Sequence, residues 1–484
     1  MVDVFVAKIK NSQYPEAPFH PDEIFPEFSN TDLVVETNTR NEVYRAIREI
    51  FVNLGFDSEN FGTANWNPLK ELVKPGERVM LKPNFVKGNH PLGLNGVLSM
   101  ITHASVMRPV IDYLLLATRG KVEIIIGDVP LQSAVWDEII KISEADRLVA
   151  YYSRENIRLL DMRREIAIFN EENVIIKKKF AAHRQKKDYV TVDLGRDSAL
   201  QEIQNYSEQL EITDYGYGTV PRHHNAVKNE YLIAREILEA DCIINLPKMK
   251  THRKAGITCA MKNLIGINGD KSWIAHHRRG LPKDGGDEFE FFKLRIVMRE
   301  RFWNFIKTKT WGIWLATLLK KMYKILVWKG KSYEEVSMYD GSSDYREGNW
   351  SGNDTVWRCI QDLNQILLYA DPAGIMHTEK QRNYFCLVDA VMSGEKEGPM
   401  EHLPKKTGLL IGSSNPVAVD FAVAEIMGFD YRLIPSINKS FSLLKYPLIH
   451  KKPEDILILA NCERKDYHFQ FIPPKGWKKI MRQS

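Results

Sequence analysis

Short apolar runs that each end in a polar side chain set the strongest limit on what this chain can fold into. Val79-Met80-Leu81 leads into Lys82-Pro83-Asn84, and Lys121 to Ile126 leads into Gly127-Asp128. Cys242-Ile243-Ile244 runs into Asn245, Tyr384 to Val388 into Asp389, and Leu409-Leu410-Ile411 into Gly412. Between these runs lie stretches with helical spacing. Val43, Ile47, Ile50 and Phe51 fall on one face of Thr37 to Leu54, and Val106 to Ala117 and Thr355 to Leu368 read the same way. Asn415-Pro416 opens a further helix that Gly428 stops. Alternation of this kind predicts an α/β fold with mostly parallel sheets and helices on both faces. Open sheets of that type bind ligands beyond the carboxyl ends of their strands. Lys82, Asn84, Asp128, Asn245 and Lys248 would then be neighbours on one edge. Strand ends are polar wherever they meet water, which accounts for any one of these residues better than for the set.

The remaining elements follow from the same signals. Tyr189 to Val192 reads as a strand, Glu230 to Leu238 as a helix, residues 134–160 as helical and then irregular, and Gly88 to Ser99 as a loop. A chain of 484 residues has room for two domains. The expected division is an irregular lead-in over 1–35, a first α/β domain over 36–284, a basic amphipathic helical insertion over 285–345, and a second α/β domain over 346–484. The ligand cleft is expected between the two domains. Net charge is +5, small for this length, so nucleic acid is not indicated. The five cysteines form no CxxC pair, which suits reduced thiols in the cytoplasm. Met1 to Val6 lacks the basic and apolar regions of a signal peptide. No GxGxxG, GxxxxGK[ST] or GxSxG motif is present.

Chemistry concentrates in Asn245 to Gly266. This stretch packs one histidine, four lysines, one arginine, two threonines and two glycines into what reads as a loop-to-helix segment. Ammonium groups and backbone N–H groups converging after a strand suit an anionic ligand. A solvated basic loop is the plainer alternative. His252 and His103, which follows Thr102 at a helix start, are candidate proton carriers. Lys262 is the candidate nucleophile or substrate clamp, since a lysine in a dry cleft loses its charge readily. Lys82, Asn84, Asp128, Lys248, Lys250, Thr258, Asn263 and Asp389 are candidate binding residues. His276 and His277 are candidate metal ligands, though adjacent histidines do not easily bind one ion. Each histidine taken alone is more often structural or solvated.

Arg301 to Lys331 has a different character. Trp303, Trp311, Trp314, Leu318, Met322 and Ile325 recur at helical spacing among lysines, with no acidic residue between. The apolar run is shorter than the roughly 20 residues that span a bilayer. Peripheral contact with an anionic membrane through residues 301–331 is one reading. A helix packed on its own domain is the other.

The motifs Lys82-Pro83-Asn84, Thr102-His103, Gly127-Asp128, Leu246 to His252, Met261 to Gly266, Val388-Asp389, Gly394 to Pro399 and Asn415 to Asp420 resemble the DUF362 family over roughly residues 75 to 435. Some of its members carry a ferredoxin-like module with clustered cysteines, which this chain lacks. A more distant resemblance is to the nickel-pincer lactate racemases. His252, Ala255-Gly256, Ala260 and Lys262 are similar to that family's cofactor-lysine motif, with the same ten-residue step from histidine to lysine. The resemblance implies a metal-ligating role for His276 or His277 and a catalytic role for His103. The departures are Ala260-Met261 before the lysine and Lys82-Pro83-Asn84 in place of a phosphate loop. Two outcomes stay open: a shared fold with plain acid–base chemistry, or a lysine-linked cofactor holding a transition metal such as nickel. The function expected is an enzyme acting on a small anionic or phosphorylated substrate, racemase- or epimerase-like. The alternative is a non-catalytic, membrane-peripheral anion-binding protein.

Overall fold

A computed structural model describes residues 2–37, 40–170, 175–212, 218–292, 294–307, 310–328 and 346–482. Its frame is one ten-stranded sheet. In chain order the strands are β1 (Val4–Lys8), β2 (Arg78–Pro83), β3 (Glu123–Asp128), β4 (Ile157–Asp161), β5 (Cys242–Leu246), β6 (Lys248–His252), β7 (Gly256–Thr258), β8 (Asn383–Glu397), β9 (Glu401–Ser413) and β10 (Ile458–Ala460). Eight of them lie in the order β10-β1-β9-β8-β5-β2-β3-β4, and β6 and β7 branch off β8. Strands β8, β5, β2, β3 and β4 run parallel, and β10 runs parallel to β1. Only β9 is reversed along this path, antiparallel to both β8 and β1. Strands from both expected domains therefore share one sheet, joined where β5 pairs with β8 from Cys242↔Asn383 to Asn245↔Cys386.

Both faces of the sheet are buried, as parallel sheets require. Met80, Ile125 and Ile243 enter the core on one side. Val79, Leu81, Ile124, Ile126 and Ile244, one residue out of phase, enter the other. Helices α1 (Glu42–Asn53) and α2 (Met107–Thr118) cover the second side. The Asn41 side chain caps α1 by accepting from the Tyr44 N–H at 3.0 Å. With the parallel strands aligned, Lys82, Asp128, Asp161 and Asn245 all stand at their carboxyl ends.

Four sequence expectations change. The Asn245–Gly266 stretch is not a loop entering a helix. It is a β-hairpin, β6 and β7, followed by a one-turn helix α3 (Ala260–Asn263). After Pro247 the chain resumes pairing along β8, with Lys248 opposite Asp389 and Lys250 opposite Gly394. Glu230 to Leu238 is also not a single helix. Glu230–Ala234 is a strand antiparallel to Tyr189–Asp193, and only Arg235–Leu238 turns helical. Burial of Tyr231 and Ile233 on alternate positions outweighs helical propensity there. Finally, Gly93–Leu98 is a short helix inside the expected Gly88–Ser99 loop, and residues 157–161 are strand β4 rather than irregular chain.

The insertion forms two helices, α4 (Leu294–Lys307) and α5 (Thr310–Trp328). Lys309, Lys329, Lys331 and residues 341–345 lie outside the described residues. Among the described residues no helix is long and apolar enough to cross a membrane. Helices α6 (Val356–Tyr369) and α7 (Pro416–Met427) pack on the first face of the sheet.

Candidate functional site

The site grows from the period-two pattern of β6. Lys248, Lys250 and His252 share one face of that strand, while Met249 points into the core. All three polar residues are buried, which places three basic side chains where water cannot solvate them. How each is satisfied separates structure from chemistry.

Two lysines are neutralised by carboxylates. Lys82 Nζ lies 2.7 Å from Asp128 Oδ1, both essentially inaccessible, and it also donates to the Pro83 carbonyl at 2.7 Å. Asp128 in turn accepts from the Phe85 N–H at 2.6 Å. The turn at Gly266 closes over this pair. A Cβ there would sit 2.2 Å from Asp128 Oδ1 and 2.7 Å from Lys82 Nζ, so only glycine fits. Lys248 Nζ lies 3.0 Å from Asp389 Oδ2 and donates to the Tyr14 hydroxyl at 2.6 Å. Tyr14 donates to Asp389 Oδ1 at 2.8 Å. Burial pulls both lysines below the ordinary lysine range, and the facing carboxylates oppose that pull.

Other lysines lack that compensation. Lys250 donates to the Met100 carbonyl, and no carboxylate lies within ion-pair distance among the described residues. Burial, then the ammonium groups of Lys248 and Lys262, push it well below the ordinary range. Lys262, carried on α3 and partly accessible, is lowered to about 8 by burial and by Lys254. Lys271 donates to the Ile265 carbonyl at 3.2 Å and is lowered to about 7, chiefly by burial, with Lys82 and Lys262 adding to the effect. His252 is held well below the ordinary imidazole range by burial and by Lys262, His276, Lys254 and Lys250. It is therefore neutral. Its Nδ1 accepts the Lys254 N–H at 3.0 Å, so its proton resides on Nε2.

Asparagines lock this group together. Asn263 Oδ1 accepts from Asn84 Nδ2 at 2.8 Å, and Asn263 Nδ2 donates to Asn245 Oδ1 at 2.7 Å and to the Lys82 carbonyl at 3.1 Å. Asp420, on α7, accepts from the Ala260 and Met261 N–H groups at 2.6 and 3.1 Å and so pins the turn that carries Lys262. Burial raises Asp420 to about 7 against those N–H groups. Among the described residues, Asn84 Oδ1 and Thr258 Oγ1 are buried without a hydrogen-bond partner. Thr258 stands opposite Lys250 in the hairpin register.

His103 belongs to the Lys248–Asp389 side. Its backbone N–H donates to Asp389 Oδ2 at 3.0 Å, and its ring stacks on Tyr14 at 4.1 Å. Both ring nitrogens are engaged, Nδ1 with Ser105 Oγ at 2.9 Å and Nε2 with Glu144 at 3.4 Å. His276 Nδ1 pairs with the Ile274 carbonyl at 3.0 Å. Burial and Lys254 hold His276 and His277 well below the ordinary range. Neutral imidazoles can ligate a metal, but cations surround these two, and no group of three or more His, Cys, Asp or Glu gathers among the described residues. The residues do not fit a metal held by protein donors alone. Lys262, partly accessible and lowered to about 8, carries an amine to which a linked group could attach.

Sequence reasoning missed Tyr14 and Lys271. Tyr14 sits in the lead-in, and Lys271 follows an unremarkable Gly-Asp pair, so neither carried a local signal. Asp420 was visible only as one carboxylate among several.

A thylakoid-associated protein of Synechocystis sp. is 20% identical over 238 residues, 48% of this chain and 48% of that protein, so the match spans about half the length of that curated relative. A crystal structure of a Thermotoga maritima protein aligns with 79% of this chain and 58% of its own, at 11% identity and a TM-score of 0.34. Residues 181–425, just over half of the chain, match the family described as a domain of unknown function, DUF362, and the chain belongs to that family.

Proposed function

We propose that the cluster around Lys262 and His252 is the active site of an enzyme that moves a proton on a small anionic substrate. The observation that carries this reading is the surplus of buried cationic groups. Lys82 and Lys248 are matched by Asp128 and Asp389, whereas among the described residues Lys250, Lys262 and Lys271 have no carboxylate within ion-pair distance. Buried positive charge without a partner is costly, and a bound carboxylate or phosphate would supply the missing charge.

The roles follow from protonation. Lys262, lowered to about 8, holds a useful fraction of free amine near neutral pH and acts as the base. Neutral His252 offers Nε2–H as a hydrogen-bond donor, not as a base, because Nδ1 already accepts from Lys254. A C–H proton next to the substrate carboxylate passes to the Lys262 amine. The electron pair moves onto the carboxylate, where the buried Lys250 side chain and the His252 donor meet the developing charge. Return of the proton to the opposite face would make the reaction a racemisation or epimerisation. The likeness to the nickel-pincer racemases rests on His252, Ala255-Gly256, Ala260 and Lys262, and this scheme needs no metal.

The test is solvent-proton exchange. The purified protein would be incubated in D2O with small 2-hydroxy acids and their phosphorylated analogues, and loss of the α-proton followed by NMR. Exchange of one acid class is expected, abolished in Lys262→Ala and reduced at least ~100-fold in His252→Ala, with circular dichroism unchanged. Exchange that persists in both variants sinks the proposal, as does a full panel that neither exchanges nor raises the melting temperature.

A further inference from the structure

We propose that the α4–α5 hairpin is a docking face for an anionic lipid bilayer, independent of the chemistry at Lys262. The hairpin has a small core of its own, in which Ile306 and Ala316 are buried with Ile313 and Leu315 against them. One stripe of α5 is left uncovered. Trp311, Trp314, Leu318, Met322 and Ile325 are all exposed, with Trp314 at 71%. Their spacing of three, four, four and three residues keeps them within one narrow stripe of α5 at 100° per residue. An uncovered stripe of this length on a soluble surface calls for an occupant.

Charge selects the occupant. From Leu294 to Lys331 there are ten lysines and arginines and a single acid, Glu300. A second copy of this chain would bring the same charge to the same face and be repelled. A bilayer with acidic headgroups supplies both an apolar layer for the stripe and negative charge for Lys321 at its edge. Lys321 lies just off the edge of the stripe, where its ammonium would meet headgroups. Trp311 and Trp314 suit the depth of the membrane interface, which tryptophan prefers. Lys320, Lys321 and Lys324 interrupt α5 too often for it to cross, so the helix lies in the plane. At 1.5 Å per residue, Trp311 to Ile325 lay a stripe of about 21 Å along the surface. The Asn170 side chain, donating to Thr317 Oγ1 at 2.8 Å, ties α5 to the strand pair Glu165–Phe169 and Ile175–Phe180.

The experiment is flotation of the full-length protein with phosphatidylcholine vesicles that contain or lack phosphatidylserine, at low and high salt. Co-flotation is expected only with phosphatidylserine and only at low salt. It should fall at least ~10-fold in Lys320→Glu/Lys321→Glu and in Trp311→Ser/Trp314→Ser. Leu444→Ser, which changes an exposed apolar residue elsewhere, should float like the parent. Each variant is checked by circular dichroism, and Trp314 fluorescence in the parent should shift blue on binding. Equal flotation with neutral vesicles overturns the charge argument, and absence of flotation overturns the proposal. Self-association that Trp314→Ser abolishes would assign the stripe to a second copy instead.

Discussion

Lysine is the common currency of two regions of this molecule, and it does different work in each. Around β6 the lysines are buried, crowded and short of negative partners, so their protons are loosely held. Along α5, Lys321 stands with exposed Trp311, Trp314 and Leu318 on a surface that water reaches. The first arrangement converts charge into reactivity by removing solvent. The second keeps charge as charge and adds a hydrophobic stripe. Composition does not distinguish them; depth in the fold does. Lys82 and Lys248 form a third case, lysines as buried as Lys250 but held by Asp128 and Asp389.

The largest expected effect tests that third case. Lys248→Met leaves Asp389 buried without its cation and leaves Tyr14 without its donor. A loss of about 3–5 kcal/mol in urea unfolding is expected, because removing one partner of a buried pair strands the other. Adding Asp389→Asn in the same chain should restore part of the loss. A single-variant cost below about 1 kcal/mol would show that the buried pairs are not distinct from the unpaired lysines.

Next in size is reactivity. An ordinary lysine titrates near 10.4, and Lys262 is lowered to about 8. At pH 7 its neutral fraction exceeds that of an ordinary lysine by roughly two orders of magnitude. Competitive acylation at trace reagent, read by mass spectrometry, should therefore mark Lys262 ahead of the lysines on α5. Labelling that favours α5 would reverse the comparison. Saturation with a bound carboxylate or inorganic phosphate should suppress the Lys262 signal and leave the α5 signal alone.

The same depressed value makes stability depend on pH. Unfolded, Lys262 holds its proton up to about 10.4; folded, it releases it near 8. Between these values the unfolded chain binds more protons, so stability from this group rises with pH across that window. Its full benefit is present above about 10.4 and is lost as pH falls through about 8. Lys262→Met should remove about 2 kcal/mol of that rise between pH 8 and 10, measured by urea unfolding at each pH. Equal slopes in the parent and the variant would mean that Lys262 is solvated like a surface residue.

Much of this arrangement could be read from the chain because strand ends advertise themselves. Apolar runs closed by Lys82, Asp128, Asn245 and Asp389 give both the sheet and the edge on which the cluster lies. The path from Lys248 to His252 was harder. Proline and a run of cations read as a turn, and only the length of β8, which supplies partners as far as Gly394, makes that stretch a strand. The alternation Lys-Met-Lys-Thr-His was present all along, but pairing with a distant segment gives it meaning. Tyr14 and Lys271 reach the site from segments whose own sequence carries no chemical pattern. Which lysines are paired is likewise a property of three-dimensional neighbours. Lys248 and Lys250 are two residues apart and differ because Asp389 faces one and Gly394 the other.

The smallest expected effect is the sharpest test of the contrast. Trp314→Ser and Ile325→Ser each remove a large apolar group from α5, a change that in a core costs several kcal/mol. Both side chains stand mostly in water, so little buried area is lost. Each should alter unfolding free energy by less than about 0.5 kcal/mol, the ordinary range for surface substitutions. Thermal melts would show the pair superimposed on the parent. A cost of about 2 kcal/mol would mean that the stripe is packed against the protein in solution. The hairpin would then be part of the core, and the two lysine-rich regions would no longer differ in the depth that separates them.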